Sequence, residues 1–182
     1  ALRLYPAHRT VDSCGLSVVK PENLHITLKF IGDVAGGEKL IPTLDRVVED
    51  VMDTCLKNCP PLVIKVTGFG CFPSLDYPRV VWAGISPEGG GAEFLTTLAD
   101  SISGGVREIG ITTQRTGESF IPHITIARIK KISSSLKEVK KFLSSPPDLK
   151  AEFLPDGISL VESRLKPDCP QYRTIFFKSF YR

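Results

Sequence analysis

Histidine, methionine and tryptophan are scarce in this chain. There are three histidines, one methionine and one tryptophan in 182 residues. No apolar run approaches the roughly 20 residues that a membrane-spanning helix needs, so a partner membrane is not expected. The start, ALRLYPAHRT, has neither a long apolar stretch nor a small-residue cleavage site, so no signal peptide is expected. No strong excess of charge of one sign exists either. Lys and Arg number 23 against 20 Asp and Glu, a formal net charge of +3, which is too small to argue by itself for a nucleic-acid partner. The five cysteines, Cys14, Cys55, Cys59, Cys71 and Cys169, are odd in number and scattered. They point to reduced thiols in a cytoplasmic protein. Cys55 and Cys59 lack the second Cys or His pair that would complete a zinc set.

Several nucleotide and nucleophile signatures are also absent. The chain has no Gly-x-x-x-x-Gly-Lys-Ser/Thr loop, no Gly-x-Gly-x-x-Gly and no Gly-x-Ser-x-Gly. What is present is an ordinary globular composition, 42% hydrophobic and 24% charged. The length suits one domain, or two small lobes sharing a core.

Apolar periodicity predicts alternating strands and helices. Strands are expected at 16–20 (LSVVK) and Leu24–Ile31 (LHITLKFI). Residues 38–57 carry Leu40, Leu44, Val47, Val48, Val51, Cys55 and Leu56 at helical spacing. Strands at 62–67 and 79–85 flank a loop, GFGCFPSLDYP. A helix at 92–109 is weakened by Gly104-Gly105. The polar stretch TTQRTGES, a strand at 121–129, a helix at 133–143 and strands at 157–163 and 172–180 complete the pattern. The fold class expected is α+β, with two similar lobes, and the whole of 1–182 is expected to form one bilobal domain.

Two segments repeat each other. Leu24–Ile31 and Pro122–Ile129 both read His-Ile-Thr followed by an aliphatic residue, and both return to Ile six residues after the histidine. His25 and His123 are 98 residues apart, one in each half of the chain. On a strand, alternate side chains share a face. His25 would therefore sit beside Thr27, and His123 beside Thr125, with Ile26, Leu28, Ile124 and Ile126 turned the other way. If the two strands occupy equivalent places in two lobes, the four groups line one cleft from both sides.

Histidine titrates near neutrality, so one imidazole can be neutral while its partner is charged. Such a pair supplies a general base and a general acid together. Opening a cyclic phosphodiester needs both, one to activate water and one to protonate the departing ribose oxygen. Threonine hydroxyls can donate to the non-bridging phosphate oxygens. The chemistry calls for no metal and no cofactor, and no carboxylate cluster offers a metal site. A lone His-x-Thr is commonly a structural pair on a strand; the duplication, using two of three histidines in matching apolar frames, favours catalysis. His8 has no such frame and reads as a surface residue.

These residues resemble the 2H phosphoesterase superfamily, which is defined by two His-x-Thr/Ser motifs. The resemblance extends to the branch of RNA 2',3'-cyclic phosphodiesterases, also called 2'-5' RNA ligases. It rests on PENLHITLKFIGDV (21–34), GFGCFPSLDYPRVVWAGI (68–85), FIPHITIARIK (120–130) and LVESRLKPDCPQYRTIFF (160–177). It implies a bilobal 2H phosphoesterase fold, two lobes of antiparallel sheet with outer helices around a central cleft. It implies hydrolysis of RNA or nucleoside 2',3'-cyclic phosphates to 2'-phosphates, with weak, reversible 2'-5' ligase activity on RNA ends. On this resemblance His25 is the proton donor to the leaving 3'-oxygen and His123 the acceptor that activates water. Thr27 and Thr125 are the phosphate clamps. The symmetry of the two motifs leaves donor and acceptor undecided without it. Family members begin with an Arg-x-Phe-x-Ala strand, and nothing of that kind precedes ALRLYPAHR, so this strand is expected to be missing.

Five further residues are candidates for substrate binding. Arg128 could pair with a phosphate, although simple alternation puts it opposite His123 and Thr125 unless a bulge or strand end brings it round. Lys29 shares the face of His25 and Thr27 on a regular strand. Phe72, before Pro73, could stack on a base or anchor its loop, and Tyr172 with Arg164 could form an RNA-facing rim. The readings carried forward are a cyclic phosphodiesterase acting on RNA ends as a monomer, a 2'-5' end-joining ligase, and a non-catalytic nucleotide- or RNA-binding module.

Overall fold

The computed structural model describes residues 15–34, 36–55, 62–111, 119–164 and 171–181. The N-terminal stretch with His8 and Cys14, most of TTQRTGES, and Cys59 and Cys169 lie outside the described residues. Two compact units emerge, each assembled from separate stretches of chain. The first comprises 1–27, 63–92 and 121–153, and the second 28–62, 93–120 and 154–182.

The first unit is a five-stranded antiparallel sheet with one helix on it. Its strands are β1 (Leu16–Val18), β2 (Ile64–Phe72), β3 (Val80–Ile85), β4 (His123–Ile129) and β5 (Lys150–Phe153), in the order β1-β4-β3-β2-β5. One face is apolar. Val81, Ala127 and Ile129 are buried with Val139 of α3 (Ile132–Ser144), and Phe142, Leu143 and Leu16 pack around them. Phe69 meets Phe142 edge to face at 4.9 Å. Val66, Ala83 and Ile124 continue this core, with Ile26, Ile85 and Phe153 against them. Two bulges interrupt the ladder. Gly68, with φ of 63°, is the extra residue of β2 between Thr67 and Phe69. The left-handed backbone there suits glycine. Ile126 is the extra residue of β4, because Val81 pairs with Ala127 while Trp82 pairs with Thr125.

The second unit holds α1 (Ile41–Cys55), α2 (Gly91–Glu108, entering from Glu93) and the antiparallel pair β6 (Gly157–Arg164) and β7 (Gln171–Ser179). Leu44, Val47, Val48 and Val51 form the buried stripe of α1, and Leu95, Leu98, Ile102 and Val106 that of α2. Gly104-Gly105 does not break α2. At Gly105 α1 comes close, since a Cβ there would lie 2.8 Å from Val47 Cγ2 and 3.0 Å from Thr43 Cγ2. Lys178 of β7 bonds Asp45 at 2.7 Å and Glu49 at 3.1 Å on α1. These partners, Asp45 foremost, hold its ammonium above the ordinary lysine pKa against the opposing effect of burial.

The α+β class expected from the sequence is observed. Several boundaries are corrected. The strand expected at Leu24–Ile31 is reduced to one isolated bridge at Ile26, and Leu28 already belongs to the other unit. The loop GFGCFPSLDYP gives its first five residues to β2, so Phe72 ends a strand. The Gly68 bulge, which reads as a breaker in sequence, keeps that strand going. β1 stops at Val18, and β5 was not anticipated, its four residues being too short for a periodic signal.

Candidate active site

The two His-x-Thr motifs do not fall one to each unit. Both lie in the first, joined by an antiparallel bridge between their central isoleucines, Ile26 and Ile124. The physical reason is apolar: Ile124 is buried and Ile26 packs against it with Val66 and Ala83. With both isoleucines turned into the core, their neighbours turn to the opposite face. Antiparallel register then sets His25 across from Thr125 and Thr27 across from His123. Cross-strand neighbours of this kind have Cβ atoms roughly 5 Å apart. His25 and Thr27 are exposed, and His123 and Thr125 half-buried.

Each imidazole is tied to the backbone in the same way. His25 Nδ1 lies 2.7 Å from the carbonyl oxygen of Asn23, and His123 Nδ1 lies 2.7 Å from that of Ile121. A carbonyl can only accept, so Nδ1 carries the proton in both rings. Nε2 is thereby the atom left for chemistry: a lone pair when the ring is neutral, an acidic N–H when it is charged.

The register identifies what shares this face. On β4, Ala127 and Ile129 are buried and Arg128 between them is exposed. The bulge at Ile126 shifts the alternation by one, so Arg128 stands on the same face as His123 and Thr125. Simple alternation would have placed it on the other side. Across β3 the same face carries Val80, Trp82 and Gly84, the partners of Arg128, Thr125 and His123. On β2 it carries Gly70 and Phe72, the partners of Trp82 and Val80. Phe72 packs on Trp82, with ring centroids 5.3 Å apart, and on His123 at 5.0 Å. Cys71 faces the core instead, where burial pushes its thiol up.

Two of the remaining candidates belong to the second unit. Lys29 is half-buried and belongs to the second unit. Strand alternation, which would place it on the face of His25, does not apply past the single bridge at Ile26. Tyr172 is 57% exposed on β7, opposite Ser163, also in the second unit. The side chain of Arg164 lies outside the described residues. Trp82 and Gly70 were not anticipated; the one signal for them is that the sole tryptophan occupies an alternate position between the core residues Val81 and Ala83. Among the described residues no group of three or more His, Cys, Asp or Glu side chains gathers at one place, and no helix is long and apolar enough to cross a membrane.

The family model of LigT-like phosphoesterases matches residues 2–82. The RNA 2',3'-cyclic phosphodiesterase of Archaeoglobus fulgidus is 34% identical over 161 residues, 88% of this chain and 82% of that protein. Its namesake from Aquifex aeolicus is 32% identical over 90% of this chain and 80% of that protein. Among solved structures, TT0787 of Thermus thermophilus superposes with a TM-score of 0.68 at 27% identity, covering 94% of this chain and 85% of that one. LigT of E. coli, solved with 3'-AMP, shares the fold at a TM-score of 0.60 and 19% identity, covering 93% and 83%. The chain belongs to the LigT-like 2H phosphoesterases, the family of the RNA 2',3'-cyclic phosphodiesterases.

Proposed function

We propose that this protein hydrolyses 2',3'-cyclic phosphates on RNA ends or nucleosides to 2'-phosphates, without a metal, using His25 and His123 as acid and base. The observation that carries this reading is the Ile26–Ile124 bridge, which puts both imidazoles and both threonines on one face. Both Nδ1 atoms are committed to backbone carbonyls, so both Nε2 atoms are available.

In the reaction His123 Nε2 takes a proton from water as its oxygen bonds to phosphorus. The bond from phosphorus to the 3'-oxygen breaks, and that oxygen receives the proton of His25 Nε2. The assignment of donor and acceptor rests on family resemblance, since the two motifs are chemically alike. Thr27 and Thr125 donate hydrogen bonds to the non-bridging oxygens, whose negative charge Arg128 balances. One imidazole starts charged and the other neutral, and hydrolysis exchanges those states.

The test is turnover of 2',3'-cyclic AMP in excess EDTA across pH. A bell-shaped rate profile that EDTA leaves unchanged is expected, because the rate falls when either imidazole is in the wrong state. Loss of activity in EDTA, restored by a divalent cation, would overturn metal independence. Tight nucleotide binding without turnover would favour a binding module, and joining of RNA halves in preference to hydrolysis would favour a ligase.

A further inference from the structure

The two motifs share a sequence and a backbone tether, but not their surroundings. His123 packs on two aromatic rings, edge to face on Phe72 at 5.0 Å and tilted against Trp82 at 6.2 Å. His25 is exposed, and among the described residues no aromatic ring packs on it. The Trp82 ring lies over Gly70. A Cβ at residue 70 would come within 2.3 Å of Cζ2 and 2.4 Å of Cη2 of the indole. On its other side the indole edge reaches Gly84, where a Cβ would lie 3.3 Å from Cζ3. The Trp82 Nε1–H is buried and has no hydrogen-bond partner among the described residues. Packing on Gly70 and Phe72 holds this ring in place.

We propose that Trp82, laid flat on the glycine surface of Gly70, is a positioning residue that with Phe72 clamps the His123 ring for water activation. This rests on the acid–base reading given above. The tether from Nδ1 to Ile121 O fixes one edge of the imidazole but leaves it able to tilt. Two rings on the same sheet face, themselves 5.3 Å apart, remove that freedom. A catalytic group held in line needs no reorientation at the moment of reaction, and a displacement of about 1 Å can cost roughly a hundredfold in rate. The structure thus makes two chemically equal motifs unequal: a clamped ring at His123 and a freer, solvent-facing one at His25.

The test uses the full chain with Gly70→Ala, Trp82→Leu and the double variant. Steady-state hydrolysis of 2',3'-cyclic AMP is measured alongside imidazole NMR, with assignments from single His→Ala proteins. In the unaltered protein the ring protons of His123 are displaced by aromatic ring currents, and those of His25 are not. Gly70→Ala and Trp82→Leu each reduce that displacement to the share due to Phe72, leave the His25 signals in place, and lower kcat at least tenfold with KM within twofold. The double variant is no worse than Trp82→Leu alone, because the added methyl no longer meets an indole. If Gly70→Ala does not fold, Trp82→Leu reads the proposal alone. A kcat within twofold of the unaltered protein, a change in KM alone, equal movement of both histidines, or strictly additive losses in the double variant overturns it. Should the unaltered protein fail to hydrolyse the cyclic phosphate, the acid–base reading fails, while the NMR displacement still reports whether the clamp exists.

Discussion

At His25 and His123 a backbone carbonyl decides which nitrogen is left without a backbone partner. Holding Nδ1–H at 2.7 Å in both rings leaves Nε2 for the proposed acid–base work in either charge state. Arg128 is the residue whose place depends most on local geometry. The Ile126 bulge turns it to the face of His123 and Thr125, so its guanidinium is available to a bound phosphate. Hydrogen bonds to charged groups are worth about 1.5–3 kcal/mol. Arg128→Ala is therefore expected to lower kcat/KM by about 10- to 150-fold, and Arg128→Lys to restore part of it, since a point charge replaces a two-pronged donor. An unchanged kcat/KM in Arg128→Ala would remove it from the site. The residue types at the site were legible from the repeat alone. The position of Arg128 was not, because a bulge follows from the pairing of β4 with β3 and has no fixed signature in a seven-residue strand.

Among the elements, the helices were the most legible and the Leu24–Ile31 segment the least. The stripes of α1 and α2 are set by residues on their own turns, whereas the single bridge at Ile26 exists only because Ile124 lies beside it. The pair Gly104-Gly105 looks like a helix breaker in sequence, yet the two glycines differ in space. A Cβ at 104 meets nothing within 4 Å, while one at 105 meets Val47 and Thr43 of α1. Replacing glycine by alanine inside a helix gains about 0.5–1 kcal/mol. Overpacking a rigid contact costs about 1–3 kcal/mol. Gly104→Ala should therefore raise the urea midpoint, and Gly105→Ala should lower it; the opposite order would contradict the close approach of α1 and α2. The Lys178 bridge to α1 gives a pH dependence. Its folded pKa is raised, chiefly by Asp45, so its contribution is fully present below the ordinary lysine value of 10.5 and is lost as pH climbs beyond it. Lys178→Met should flatten the alkaline fall in stability measured by thermal melting between pH 9 and 12, roughly the range in which lysines lose their protons. A fall as steep as in the unaltered protein would show that this bridge does not govern it.

For the whole molecule, the notable fact is how discontinuous its units are. The first is completed by residues from three separated stretches, so the two motifs, 98 positions apart, meet across one bridge. The sequence repeat suggested one motif per lobe, because each half of the chain holds one. The chain instead returns at residue 121 to lay β4 beside Ile26, and it is this return that brings the two motifs together. The modest net charge of +3 is compatible with a site that holds one terminal phosphate. The central claim is that His25 and His123 together open a 2',3'-cyclic phosphate. The most direct measurement is phosphorus NMR of 2',3'-cyclic AMP incubated with the unaltered protein, with His25→Ala and with His123→Ala. The account predicts a 2'-phosphate product and a loss of about a hundredfold or more in each variant, since each acid–base partner supplies roughly 10²–10⁴. A 3'-phosphate product, or an undiminished rate in either variant, would contradict it.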